Sequence, residues 1–177
     1  MKICFVDMDG VLCDFVGSAC KLFGQPELAD NLPLGQYDMG SVLGCSTTDF
    51  WNRIKDNPDF WAEMTPYPWY QELLDMVRAK GFEVFISTSP SFDPNSAKGK
   101  VAWLQKHYGK KFRNYFIGSE KFVLAGPGRI LIDDSDLQVD SFVKAGGRGC
   151  LFPRPWNSNH GLSDKPLSYC GGYLEVS

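Results

Sequence analysis

Asp7 and Asp9 stand two residues apart directly after the apolar run Ile3-Cys4-Phe5-Val6, and Gly10 follows them. Alternate residues of an extended chain point the same way, so both carboxylates can meet one ligand, while a glycine lets the backbone turn sharply away. At ~4 Å and an effective dielectric of ~20, two such anions repel by about 4 kcal/mol. A divalent cation or one shared proton removes that cost. Two further apolar runs also end in polar residues: Phe82-Glu83-Val84-Phe85-Ile86-Ser87 runs into Thr88 and Ser89, and Arg129-Ile130-Leu131-Ile132 into Asp133 and Asp134. Hydroxyls and backbone N–H groups hold phosphate oxygens, carboxylates hold a hard cation, and Lys121 can add a positive point charge. These parts suit phosphoryl chemistry. Phosphate-monoester hydrolysis is among the slowest uncatalysed reactions, with accelerations up to ~10²¹-fold, so several devices must act together. A covalent carboxylate intermediate and a metal ion would be two of them.

For these groups to meet, their runs must lie side by side as parallel strands, and the intervening sequence supplies the crossovers. Residues 69–80 place Leu73, Leu74 and Val77 on one helical face, with Pro68 suited to a first helical position and Gly81 to the residue past the end. A second helix is expected over 96–108, with Val101, Leu104 and Tyr108 inward and Gly109 behind it. A short strand at 114–117, a helix at 137–145 closed by Gly146-Gly147, and a strand at 149–152 complete the rhythm. Strands alternating with helices predict an α/β fold, a Rossmann-like parallel sheet flanked by helices. Residues 16–67 break the pattern with Gly24, Pro26, Pro33, Gly35, Gly40, Gly44, Pro58 and Pro66, and read as an insertion. Within it, 18–23 and 48–54 are expected as helices, the latter capped by Thr47 or Thr48. The last 25 residues or so, rich in Pro, Gly, Ser and Asn, are expected to wrap the surface.

A chain of 177 residues with 44% hydrophobic content can bury one sizeable core. A formal charge of −3 argues against a protein that holds duplex nucleic acid by neutralising many phosphates. There is no run of 18 or more apolar residues, and the chain enters its first strand without a basic region, apolar stretch and cleavage site. The expectation is a cytoplasmic protein with no membrane partner. Six cysteines, Cys4, Cys13, Cys20, Cys45, Cys150 and Cys170, show no paired zinc-type spacing. Cys4 and Cys150 are expected as small buried hydrophobes, and no disulfide is assumed.

Taken in order, Asp7-Met8-Asp9-Gly10-Val11-Leu12 with Asp14-Phe15, Ile86-Ser87-Thr88-Ser89-Pro90, Lys100-Val101-Ala102-Trp103, Glu120-Lys121, Ile132-Asp133-Asp134 and Pro155-Trp156-Asn157 form a set. This set, over roughly residues 1–160, resembles the haloacid dehalogenase-like phosphatase superfamily and, within it, the 5′(3′)-deoxyribonucleotidase group. The resemblance implies a haloacid dehalogenase-like core over 1–15 and 68–177 with a small helical cap, 16–67, inserted after the first strand. It implies that Asp7 is the nucleophile and that Asp9 protonates the leaving oxygen and then activates water. Mg²⁺ would be held by Asp7, the backbone carbonyl of Asp9 and Asp134, with Asp133 supporting from behind. Thr88 and Ser89 would bind the phosphate, and Lys121 would neutralise charge on the transferring group.

Each residue also has an ordinary reading. Thr88 and Ser89 before Pro90 suit a turn, Lys121 and Lys100 suit a solvated surface, and Asp14 and Asp136 suit turns or helix caps. Lys100 is carried as a second phosphate contact. His107 and His160 are left unassigned. In the resembled group, cap aromatics stack on the base; Phe15, Tyr37, Phe50, Trp51, Phe60 and Trp61 are candidates here, with Phe15 and Trp51 chosen for base or sugar contact and Phe60 and Trp61 as hinge or core. Some relatives carry a basic residue where this chain has Ser119, which leaves the position of the phosphate, the sugar and the base open. The expected substrate is a small-molecule nucleoside monophosphate. Another phosphoester, a nucleic-acid end, or nucleotide binding without hydrolysis are the alternatives, and a homodimer is one arrangement the sequence leaves open.

Overall fold

The computed structural model describes residues 2–175, so the outermost positions of the expected core, 1 and 176–177, lie outside the described residues. Ile3-Cys4-Phe5-Val6 carries no polar side chain, as suits a strand covered on both faces. It forms β1 (Ile3–Val6), the middle strand of a five-stranded sheet. On one side lie β2 (Glu83–Thr88) and β3 (Tyr115–Ile117), and on the other β4 (Arg129–Asp133) and β5 (Arg148–Leu151). The order is β3-β2-β1-β4-β5 and every pairing is parallel, with Phe5 in register between Phe85 and Leu131. The two-residue period sorts the side chains. Cys4, Val6, Val84, Ile86, Ile130, Ile132 and Cys150 enter the larger core, while Phe5 and Leu131 pack on the opposite face against Phe142.

The helices are α1 (Phe15–Leu22), α2 (Met39–Val42), α3 (Thr47–Lys55), α4 (Tyr70–Ala79), α5 (Pro94–Tyr108), α6 (Asp136–Lys144) and α7 (Pro166–Glu175). Several helix starts differ from those expected, because a cap depends on which side chain folds back onto the first turn. Asp14 caps α1, so that helix begins three residues early, and its Oδ1 accepts from Gly17 N at 2.8 Å. Ser46, rather than Thr47 or Thr48, caps α3 through the Asp49 N–H at 3.1 Å. Asp93 caps α5 with Pro94 at its first position, and Pro68 lies outside α4. The C-terminal stretch does not merely wrap the surface: α7 buries Pro166, Cys170 and Leu174 along one stripe. Gly171 and Gly172 concealed it, since glycine lowers helix propensity, and packing overrides that cost of about 1 kcal/mol per residue.

The segment after β1 carries α1, α2 and α3 and adds no strand to the sheet. Its two ends are joined. Asp14 N donates to Thr65 O at 2.8 Å and Tyr67 N to Leu12 O at 3.0 Å. Phe15, Phe50, Ile54, Phe60 and Trp61 are buried in the same cluster as the sheet side chains. No helix among the described residues is long and apolar enough to cross a membrane.

Candidate active site

Strand order reverses at β1: from it the chain steps out to β2 and β3 on one side, then crosses back to β4 and β5 on the other. In open parallel sheets the crevice at such a point, beyond the carboxyl ends of the strands, is the usual ligand site. Asp7 follows β1, Asp133 ends β4 and Asp134 comes next. One carboxylate oxygen from each of Asp7, Asp133 and Asp134 lies within 4.8 Å of the others. Lys121 enters from a 3₁₀ turn, Lys121–Leu124, and is buried. Its Nζ pairs with Asp7 Oδ1 and with Asp133 Oδ2, each at 2.6 Å. The Ser135 N–H donates to Asp133 Oδ1 at 2.9 Å, so both Asp133 oxygens are occupied within the protein.

Three carboxylates therefore face one ammonium. Burial first, and then the charge of Asp133, push the Asp7 carboxyl up to about 7 against the pull of Lys121. Burial, with Asp7 and Asp133, raises Asp134 well above the usual carboxylate range. For Lys121, burial works against the charged form, but the charges of Asp133 and Asp7 outweigh it and hold the ammonium above its ordinary value. Asp7 and Asp134, whose carboxyls are held above the usual range, and Asp133 bring one oxygen each within 4.8 Å of the others, a donor set that fits a hard divalent cation.

Asp9 stands outside that cluster. Its Oδ2 pairs with Lys100 Nζ at 2.5 Å, and its Oδ1 lies 3.6 Å from the Cys13 Sγ. The surface reading of Lys100 is overturned: the side chain is wholly buried, and its Nζ also donates to Thr88 Oγ1 at 2.9 Å and Ser89 O at 2.6 Å. Lys100 Nζ also sits 4.9 Å from the Trp61 ring centroid. Lys121 likewise is no surface lysine. Thr88 is fully buried beneath these contacts, whereas Ser89 lines a cavity of about 340 Å³ together with Asp7, Asp9, Phe15, Lys121 and Asp134.

Phe15 and Trp51 part company. Phe15 reaches the cavity, while Trp51, 40% exposed, lines a separate cleft of about 220 Å³ together with Phe92. Their ring centroids are 6.3 Å apart, so Trp51 lies one ring further out. Tyr37, Trp156 and Asn157 also line the main cavity. Trp156 and Asn157 went without a role at the level of sequence, although Pro155-Trp156-Asn157 was the visible signal. Trp156 Nε1 donates to Asp134 Oδ2 at 2.7 Å, and Asn157 Nδ2 donates to the Asp134 carbonyl at 2.9 Å.

Gly10 is required twice over. Its φ is +77°, and a Cβ there would lie 2.2 Å from Asp134 Oδ2. Gly10→Ala is expected to cost about 1–2 kcal/mol from the left-handed backbone alone, measured as a lower urea midpoint. It should also displace Asp134, and an unchanged midpoint would contradict the close approach.

A helix-flanked parallel sheet of this order, with acids at the carboxyl ends of its central strands, is the core that this chain shares with solved haloacid dehalogenase-like structures. The chain superposes on such a hydrolase from Deinococcus radiodurans R1, solved with phosphate and sodium bound, with a TM-score of 0.55 and 16% identity over 93% of this chain and 87% of that one. At the level of sequence, residues 1–164 match the family model described as 5′ nucleotidase, deoxy (pyrimidine), cytosolic type C protein. The cytosolic 5′(3′)-deoxyribonucleotidase of Homo sapiens is 31% identical over 145 residues, 74% of this chain and 69% of that protein. The mitochondrial 5′(3′)-deoxyribonucleotidase of Mus musculus is 30% identical over 142 residues, 73% of this chain and 62% of that protein. The chain belongs to this deoxyribonucleotidase family, a family of phosphoric monoester hydrolases.

Proposed function

We propose that this chain hydrolyses nucleoside monophosphates, deoxyribonucleotides foremost, in a Mg²⁺-dependent reaction through an aspartyl-phosphate on Asp7. The observation that carries this reading is the cluster of buried Asp7, Lys121 and Asp133 with half-buried Asp134, opening on the cavity at the ends of β1 and β4. An Asp7 oxygen attacks phosphorus and the ester P–O bond breaks, while Asp9 passes a proton to the leaving oxygen. Asp9 then takes a proton from water, whose oxygen displaces Asp7 and releases inorganic phosphate. Lys100 occupies Asp9 Oδ2, which fixes the direction in which that carboxyl faces the cavity. Lys121, already paired with Asp7, brings positive charge beside the transferring oxygens. Ser89 offers its hydroxyl to the phosphate from the cavity wall, and Thr88 acts from behind through Lys100.

Asp7, the Asp9 carbonyl and Asp134 would hold Mg²⁺, which supplies neutralisation of the phosphoryl oxygens when bound. Residues 1–15 and 68–177 serve as the catalytic core and 16–67 as the cap, which contributes Tyr37 to the cavity wall. Phe15 provides the face nearest the substrate, with Trp51 beyond it. The cytosolic type of the human relative supports a cytoplasmic setting.

The test is a panel of deoxyribonucleotides, ribonucleotides, sugar phosphates and 5′-phosphorylated oligonucleotides, each assayed for phosphate release with Mg²⁺ and with EDTA. Nucleoside monophosphates should show the highest kcat/KM, with activity lost in EDTA and restored by Mg²⁺. Preference for sugar phosphates or oligonucleotide ends would reject the substrate class, and full activity in EDTA would reject the cation.

A further inference from the structure

Lys121 pairs with Asp7 and Asp133, but Asp134 takes its hydrogen bond from an indole. Trp156 is 6% exposed, and its Nε1 donates to Asp134 Oδ2 on the side of the carboxylate that lies against Gly10. A hydrogen bond to one oxygen of a carboxylate fixes its rotation and leaves the other oxygen free for a ligand.

The indole is itself held, and the group that holds it is Arg154. Its guanidinium carbon lies 4.6 Å from the Trp156 ring centroid, 4.3 Å from that of Tyr67 and 5.4 Å from that of Trp69. Tyr67 and Trp69 stack on each other at 4.6 Å with an interplanar angle of 9°. Arg154 forms no ion pair among the described residues; its Nη2 donates to the Tyr67 hydroxyl at 2.5 Å, which in turn donates to Asp14 Oδ1 at 2.9 Å. Trp69 Nε1 donates to the Val11 carbonyl at 3.0 Å. A buried cation held on aromatic faces is worth more than an exposed one, because no water competes for it. It ties Trp156 to the loop that follows Asp9 and to the residues where the inserted segment rejoins the core.

We propose that Trp156, clamped by Arg154, is a positioning residue for Asp134 that sets the affinity of the site for its divalent cation. The proposal rests on the reading of Asp7 and Asp134 as cation ligands. Trp156→Phe keeps an aromatic face for Arg154 and deletes the donor. Mn²⁺ binding, followed by loss of the free-ion electron paramagnetic resonance signal, should weaken about 10-fold or more, the scale on which such supporting partners act. The Mg²⁺ concentration for half-maximal phosphate release should rise in parallel. Trp156→His, which retains a ring N–H, should recover part of the loss; a purely structural role would give no such recovery.

A second readout leaves the side chain untouched. In ¹⁵N-labelled wild-type protein, the assigned Trp156 indole resonance should move when Mg²⁺ is added and again in Asp134→Asn. Mn²⁺ binding by Trp156→Phe as tight as that of the wild type overturns the proposal. So does a Trp156 indole signal indifferent to both saturating Mg²⁺ and Asp134→Asn, and this spectrum decides the matter if Trp156→Phe does not fold. Wild-type protein that binds no Mn²⁺ overturns the cation site itself, and the wild-type titration tells that failure from the other.

Discussion

With Asp7 as the nucleophile proposed above, Asp7→Asn is expected to lower phosphate release by about 10⁴-fold or more, the order of loss on removing such a group while the surrounding charges remain, and to make the cation-free protein more stable. The stability effect has an electrostatic cause. Burial and the charge of Asp133 push the Asp7 carboxyl up to about 7, so holding its ionised form in the fold carries a cost. A carboxyl raised in the folded state above its unfolded value of ~3.9 keeps its proton longer when folded. The unfolded chain ionises first as pH rises, so the stability tied to this group is intact below about pH 4, falls between about pH 4 and 7, and stays low above that. The neutral amide removes this slope. Melting curves in EDTA across that range should show the wild-type midpoint falling faster than that of Asp7→Asn. Mg²⁺ at about 100 times its dissociation constant adds roughly 2.7 kcal/mol to a protein that binds it only when folded, and the wild type should gain more than the variant. Parallel pH slopes, or turnover within tenfold of wild type, would remove Asp7 from its assigned place.

Lys121→Met is expected to cause the largest loss of stability among the site substitutions. The lysine is 2% exposed and is bonded to two acids that are themselves buried, Asp7 and Asp133. Removing one partner of a buried ion pair costs about 3–5 kcal/mol, because the remaining charge is left without compensation. For a chain of this size about 2–4 °C accompanies each kcal/mol, so the midpoint at neutral pH in EDTA should fall by roughly 6–20 °C. The loss should shrink at about pH 5, where Asp7 carries a proton, and shrink again with Mg²⁺, which replaces part of the missing positive charge. With Lys121 in its proposed place beside the transferring oxygens, phosphate release at saturating Mg²⁺ should still drop by about 10²–10³-fold, the scale of losing one preorganised charge. A midpoint within a degree or two of wild type at neutral pH would mean that these acids do not depend on the lysine.

The strands and the acids at their ends were legible in the linear chain because both signals are local. An apolar run followed by a punctuating residue marks a buried strand and its exit, and Asp7, Asp9, Thr88, Asp133 and Asp134 all sit at such exits. Parallel pairing then brings those exits to one edge, and the observed register does so. Helix existence was equally plain where the apolar period was strong, as in α4. It failed for α7, where two adjacent glycines mask a stripe that packing alone reveals.

The environment of each charge was another matter, because burial of an ionic group depends on partners that periodicity does not name. Lys100 and Asp9 are 91 positions apart, and nothing near Lys100 in the chain announces a carboxylate, a threonine hydroxyl and a carbonyl around its ammonium. Trp156 stood in the Pro155-Trp156-Asn157 motif without a role, and only the folding back of the loop after β5 sets its N–H on Asp134, 22 positions away. Trp51 shows the converse: an aromatic of the right type in the right segment, carried by α3 to a neighbouring cleft instead of the main cavity. The pattern of residues thus dictates which chemical groups are available and at which edge of the sheet they emerge. Which of them meet, and at what charge, follows from long-range closure of the chain, since Coulombic and hydrogen-bond energies depend on separation in space and take no account of separation along the backbone.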